Sequence, residues 1–264
     1  MPLARLRVLL ERLARSGAGP AEHTSLPLGA RELDGVLGGG LLRGALHEVA
    51  PLAEGDATAA GGFCVGLLAR ALVLGGKQPV LWVRHELATF EDGAPYGPGL
   101  AALGLDPARI LFVLAGNAKE VLEAMEQALR SGMLAAVFGE LRGAAKLDLR
   151  ASRRLSLAAA RGATPALLLR LGAGERLNAP VSAATRWRIK ALASSRAPAD
   201  GLGAPCFEAD LVRNRRGPAA SFSLEWRIHD CTFRIVPALR ERLAPAPADR
   251  SHPAPAQKKQ SASA

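Results

Sequence analysis

Phosphate chemistry leaves a spacing that can be read in a sequence: G-x-x-x-x-G-K-[ST]. Backbone N–H groups of that loop wrap the phosphates, its Lys neutralises them and its hydroxyl holds Mg²⁺. The stretch from Gly38 to Thr58, GGGLLRGALHEVAPLAEGDAT, has the frame without the chemistry. A glycine turn leads into a short strand, Ala45 to Val49, and the frame then falls on Ala50-Pro51-Leu52-Ala53-Glu54-Gly55-Asp56-Ala57. Gly55 keeps the second glycine. Asp56 stands at the Lys position, Ala57 at the hydroxyl position, and Glu54 adds a further negative charge. Two unit charges ~4 Å apart interact by about 4 kcal/mol at an effective dielectric of ~20. Exchanging the cation for an acid turns that attraction into a repulsion of similar size. The expectation is a degenerate phosphate loop, with no catalytic residue, no cofactor and no metal. The plain alternative is that Gly55 is an ordinary turn glycine.

Basic residues form the second group that could do chemistry. Residues 1–141 carry 12 Lys/Arg against 15 Asp/Glu, and residues 142–264 carry 22 against 9. A preference for Arg over Lys does not explain that imbalance, which points to an anionic partner for the second half, nucleic acid being the usual one. Arg142, Lys146, Arg150, Arg153, Arg154 and Arg161 face a single acid, Asp148. Within a helix, Lys146, Arg150, Arg153 and Arg154 fall on overlapping faces. They could track phosphates, meet an acidic protein or form a solvated face. In Thr185–Ala191 (TRWRIKA), alternation puts Arg186, Arg188 and Lys190 on one side and Trp187 and Ile189 on the other, where Trp187 reads as core. Arg213, Arg215 and Arg216 cluster near a hairpin turn and complete the candidate DNA or partner surface. Five scattered His residues have no metal-ligand spacing. Cys64, Cys206 and Cys231 fit neither a disulfide framework nor a zinc site and suggest a reducing, cytoplasmic setting.

The elements that must position these residues alternate. Helix Ala59–Leu74 follows the first strand, with Gly61, Gly62 and Gly66 allowing close packing. Strands are expected at Pro79–His85, Arg109–Leu114, Leu134–Leu141 and Pro165–Leu171. Between them lie a loop at Glu91–Gly99, a short helix at Leu100–Leu105, a helix Lys119–Arg130 capped by Asn117, and a basic helix Leu147–Arg161. Such βα alternation implies a mostly parallel α/β sheet with helices on both faces. Thr185–Ala191, Phe207–Arg213 and Ser221–Arg227 read as antiparallel strands at the C-terminal side. Residues 1–16 read as an amphipathic helix, docked on a partner or back on its own domain. Residues 17–25 read as a linker, 26–243 as the domain and 244–264, rich in Ala, Pro and Ser, as a disordered tail. No apolar run approaches the ~20 residues of a membrane span, and no membrane partner is expected.

The order of these joints resembles the RecA-like core. The resemblance rests on Leu28-Gly-Ala-Arg-Glu-Leu-Asp34, on Gly38-Gly-Gly-Leu-Leu-Arg-Gly44 with the strand and loop after it, and on Leu211-Val-Arg-Asn-Arg-Arg-Gly-Pro218. A fuller resemblance is to the ImuA family, RecA/SulA-like proteins of bacterial damage-inducible mutagenesis cassettes. It is carried by GGGL-x-RGALHE with a lysine-less loop, by LAALGLDPARILFV and by V-x-GEL. That resemblance implies a role beside ImuB, a catalytically dead Y-family-like protein, and an error-prone DnaE-type polymerase, in translesion synthesis during the SOS response; the leading reading is a non-catalytic scaffold for them, for which RecA and primer-template DNA are further candidate contacts. In a RecA-like ATPase the fourth strand ends in a Mg²⁺-linked acid, here Glu140, and a catalytic Glu follows the second strand, near Glu86. Arg213 and Arg215 match hairpin positions that reach a neighbour's ATP. A divergent ATPase using Glu86 or Glu140, and a SulA-type division inhibitor, are the alternative readings.

Overall fold

The computed structural model describes residues 3–15, 24–143, 147–172, 179–194 and 203–237. Lys146, most of the 17–25 linker and the 244–264 tail lie outside the described residues. In chain order the elements are α1 (Leu3–Arg15), β1 (Ser25–Leu26), α2 (Arg31–Val36), β2 (Leu41–Leu42), β3 (Leu46–Pro51), α3 (Ala57–Leu74), β4 (Val80–His85), α4 (Glu86–Asp92), α5 (Gly97–Ala102), β5 (Ile110–Ala115), α6 (Ala118–Ser131), β6 (Ala136–Arg142), α7 (Leu149–Gly162), β7 (Ala166–Leu171), β8 (Thr185–Leu192), β9 (Cys206–Asn214), β10 (Ala220–Arg227) and β11 (Thr232–Ile235).

Nine strands form one sheet in the order β11-β10-β9-β8-β3-β7-β6-β4-β5. The strands from β3 to β5 in that order run parallel, as continuous apolar runs separated by helices require. The sequence suggests an antiparallel β8, and it is so only towards β9; towards β3 it is parallel. It is the joint at which the parallel half becomes an antiparallel meander. α3 packs on one face, where Phe63, Trp187, Phe207, Trp226 and Phe233 form an aromatic cluster. A Cβ at Gly66 would stand 3.0 Å from Phe233 and 3.1 Å from Trp226, so this glycine does set the close approach of α3, whereas Gly61 has open space. Residues 54–74 are long and apolar enough to cross a membrane, contrary to the sequence expectation, but α3 is the core helix beneath the sheet.

The opposite face is covered by α6, α7 and α1. α1 docks on its own domain: Leu6 and Leu10 are buried with the α6 residues Leu122, Met125 and Leu129. Asn117 caps α6 by accepting from the Glu120 amide (3.0 Å), and Gly132 ends the helix in the left-handed conformation. Two local expectations shift. The presumed loop around Glu91 contains the end of α4, and the short helix starts at Gly97 rather than Leu100, because Pro98 suits a first turn.

Candidate functional site

Strand, turn and helix stand where the phosphate frame requires them. Ala50 and Pro51 are the last two residues of β3, paired with Arg188 and Ile189 of β8. Glu54–Asp56 is one 3₁₀ turn, and Ala57 opens α3. The loop is closed from within by Asp56. One carboxylate oxygen accepts from the Ala53 amide (3.1 Å) and the other from the Ala191 amide at the end of β8 (3.0 Å). The Leu52 amide donates to the Ile189 carbonyl (2.8 Å). Two backbone donors of the loop, Leu52 and Ala53, are thus spent on the protein's own oxygens. The residue at the Lys position is itself the anion that the turn binds. Gly55 has an ordinary φ, and a Cβ added there would meet nothing within 4 Å, so neither conformation nor space demands glycine.

Beside this turn, at the carboxyl ends of β4, β6 and β7, lies a cavity of about 340 Å³ lined by Thr58, Gly61, Trp82, Asp92, Glu140 and Arg142 among others. Ligands of open α/β sheets bind at such ends. Here the charged groups pair with one another, although the buried Arg84 Nε makes no hydrogen bond among the described residues. Trp82 Nε1 donates to Glu140 Oε1 (2.6 Å), and Arg84 Nε lies 3.2 Å from Glu140 Oε2. Asp92, brought over by α4, pairs with Arg84 (2.9 Å) and with Arg142. Burial pushes the Glu140 carboxyl above its ordinary pKa; Arg84 and the Trp82 N–H pull it part of the way back. Thr58 is the nearest hydroxyl to the empty hydroxyl position, one residue late in the frame. Glu86, the other candidate acid, is exposed at the start of α4. No group of His, Cys, Asp and Glu able to hold a metal occurs among the described residues.

The basic candidates do not form one patch. Arg142 belongs to the cavity just described. Arg150 and Arg153 are exposed on α7, and Arg154 pairs with Glu126 of α6 (3.0 Å). Arg186, Arg188 and Lys190 do share a face of β8, but that face is largely occupied: Arg186 binds Glu48 (2.6 Å) and the Ala179 carbonyl, Arg188 reaches the Pro51 carbonyl (3.4 Å), and Lys190 lies 3.7 Å from Glu208. Burial lowers the Arg188 pKa, and the neighbouring Arg186 adds to this. Arg213 donates to the Val181 carbonyl (3.0 Å), Arg216 to the Gly38 carbonyl (2.7 Å), and Asn214 to the Val36 carbonyl (2.8 Å). The basic hairpin is therefore clamped to the glycine turn, leaving Arg215 exposed.

Sequence reasoning missed the polar core behind the loop. Glu48, fully buried, takes Arg170 (3.1 Å) and Arg186 (2.6 Å). His47, also fully buried, donates from Nε2 to the Leu42 carbonyl (2.8 Å). Its Nδ1 meets Thr185 Oγ1 (2.8 Å), which also accepts from Trp187 Nε1 (2.9 Å). A carbonyl only accepts, so Nε2 carries a proton, and burial, which lowers the ring's pKa to about 4, keeps the ring neutral near pH 7, with Nδ1 accepting from the Thr185 hydroxyl. The other motif residues are architectural as well. Asp34 accepts from the Leu28 and Gly29 amides (2.6 and 3.0 Å). Gly40 has φ +114°, and a Cβ there would fall 2.3 Å from the Leu26 carbonyl oxygen.

No family model matches the chain. Among solved structures it is similar to the RadB recombinase, with a TM-score of 0.54 at 16% identity, covering 80% of this chain and 100% of that one. At that identity the likeness shows the fold, a RecA-like α/β core. Among curated proteins it is 34% identical over 210 residues to Protein ImuA of Caulobacter vibrioides strain NA1000 / CB15N, covering 76% of this chain and 82% of the relative. The Protein ImuA of strain ATCC 19089 of the same species matches over the same extent. A RecA-like core, a lysine-less loop and this relationship along most of both chains together place the protein in the ImuA family.

Proposed function

We propose that the chain is a non-catalytic RecA-like accessory protein, a pseudo-ATPase that acts as a scaffold in SOS-induced translesion DNA synthesis. The observation that carries this reading is the Asp56 carboxylate seated on the Ala53 and Ala191 amides. A triphosphate entering the loop would have to displace a bound anion and then sit beside it and Glu54. Glu140 gives no route around this, because it is buried, accepts from the Trp82 N–H on one oxygen and is ion-paired to Arg84 through the other. A fold kept without its nucleotide chemistry retains surfaces. Its partners, on this reading, are an ImuB-type Y-family-like protein and an error-prone DnaE-type polymerase in the cytoplasm, with RecA and DNA as further contacts.

Retention of a purified ImuB-type partner on the immobilised chain tests the reading. Retention is expected to be equal with ATP·Mg²⁺ present and in apyrase-treated buffer. A complex that forms only with ATP, or no complex at all, would overturn it.

A further inference from the structure

Among the described residues, no other element covers the outer face of α7. Its inner side, Ser152, Leu155, Ala158, Ala159 and Gly162, is buried against the domain. Asp148, the single acid of the stretch, is consumed as the N-cap, accepting from the Ala151 amide (2.7 Å). On the outer side Arg150, Arg153, Leu157 and Arg161 follow one another at spacings of 3, 4 and 4 residues, which aligns them in a stripe. All four are exposed, and Arg150, Arg153 and Arg161 make no ion pair among the described residues. Leu157 is 56% exposed, and Leu149, at the start of the helix, is 54% exposed. Leu157 sits inside the arginine stripe, between Arg153 and Arg161, so the face is basic with an apolar residue at its middle rather than uniformly charged.

We infer that the outer face of α7 is a docking surface for an acidic amphipathic helix of a protein partner. Charge complementarity and the leucines select this occupant together. A nucleic-acid backbone gains from the arginines and nothing from Leu149 or Leu157. An acidic helix with apolar anchors at helical spacing gains from both, its leucines covering Leu157 while its carboxylates meet the arginines. The inference goes beyond the scaffold reading by giving a surface and a partner chemistry, and it holds whether or not the loop takes nucleotide.

The test uses the full chain and a labelled designed helical peptide, with Leu at i, i+3, i+4 and i+7 and Glu at the flanking positions, read by fluorescence anisotropy. The Glu peptide is expected to bind, and a version with Lys for Glu is not. The triple variant Arg150→Glu/Arg153→Glu/Arg161→Glu should reverse that preference. Leu157→Ser, which leaves every charge in place, should weaken the Glu peptide about tenfold. A single-stranded thymidine oligonucleotide is the competing probe. If it binds with sensitivity to the arginines and none to Leu157→Ser, the face reads nucleic acid and the inference fails. A Glu peptide that binds no better than its Leu→Ser version would sink it equally. Circular dichroism of each variant establishes that the fold is retained.

Discussion

Glu48→Gln is expected to lose about 3–5 kcal/mol of folding stability, among the largest losses of any single change in the chain. The carboxylate is fully buried between Arg170, 2% exposed, and Arg186, whose side chain is 12% exposed. Removing its charge leaves two guanidinium groups facing each other with little water to screen them. The amide keeps the shape and one acceptor, so the loss isolates charge from packing. A triple replacement, Glu48→Leu with Arg170→Met and Arg186→Leu, should cost less than the single change, since no unpaired charge remains. Urea unfolding of the three proteins measures this. A Glu48→Gln variant within about 1 kcal/mol of wild type would mean that the cluster is hydrated and the strands β3, β7 and β8 are not held by it.

The second large effect is acid sensitivity centred on His47. Burial depresses its pKa from 6.5 to about 4, partly opposed by the bond to the Leu42 carbonyl. The folded value lies below the unfolded one. Between these values the unfolded chain therefore binds more protons, and stability rises with pH. The contribution is whole above pH 6.5 and is lost as the pH falls towards 4. A shift of this size is worth roughly 3 kcal/mol. His47→Gln, which can still donate to Leu42 and accept from Thr185, should flatten the stability profile in that window. Carboxylates contribute their own slope in both proteins, so the difference between the two profiles carries the information. The imidazole resonances should remain those of a neutral ring well below pH 6; a ring titrating near 6.5 would show that the network with Thr185 and Trp187 is open to water.

These two residues also mark where the sequence stops being legible. Strands of a parallel sheet are continuous apolar runs, the inner ones buried on both faces and the edge strand β5 only in part, so LWVRH, ILFVL, AAVFGEL and ALLLRL could be read directly, as could the period of α6 and α7. The two-residue strands β1 and β2 carry no periodicity and could not be read. Nor could the partners of His47 and Glu48, which lie 138 residues away on β8, with Arg170 at 122. Nothing local distinguishes a buried, paired Glu from an exposed one. In the site, the loss of Lys and hydroxyl was legible from residue type alone. What replaced them was not: Asp56 could be read as a missing cation, but only the fold brings the Ala191 amide to its carboxylate. Likewise alternation places the arginines of β8 on one face, but only the fold shows that Glu48 and the Ala179 and Pro51 carbonyls lie across from them.

Calorimetric titration of the full chain with ATP·Mg²⁺ bears most directly on the claim that the loop is closed by its own acid. No binding tighter than about 1 mM is expected, because the Ala53 and Ala191 amides already hold the Asp56 carboxylate. A dissociation constant on the order of 1 μM would contradict it.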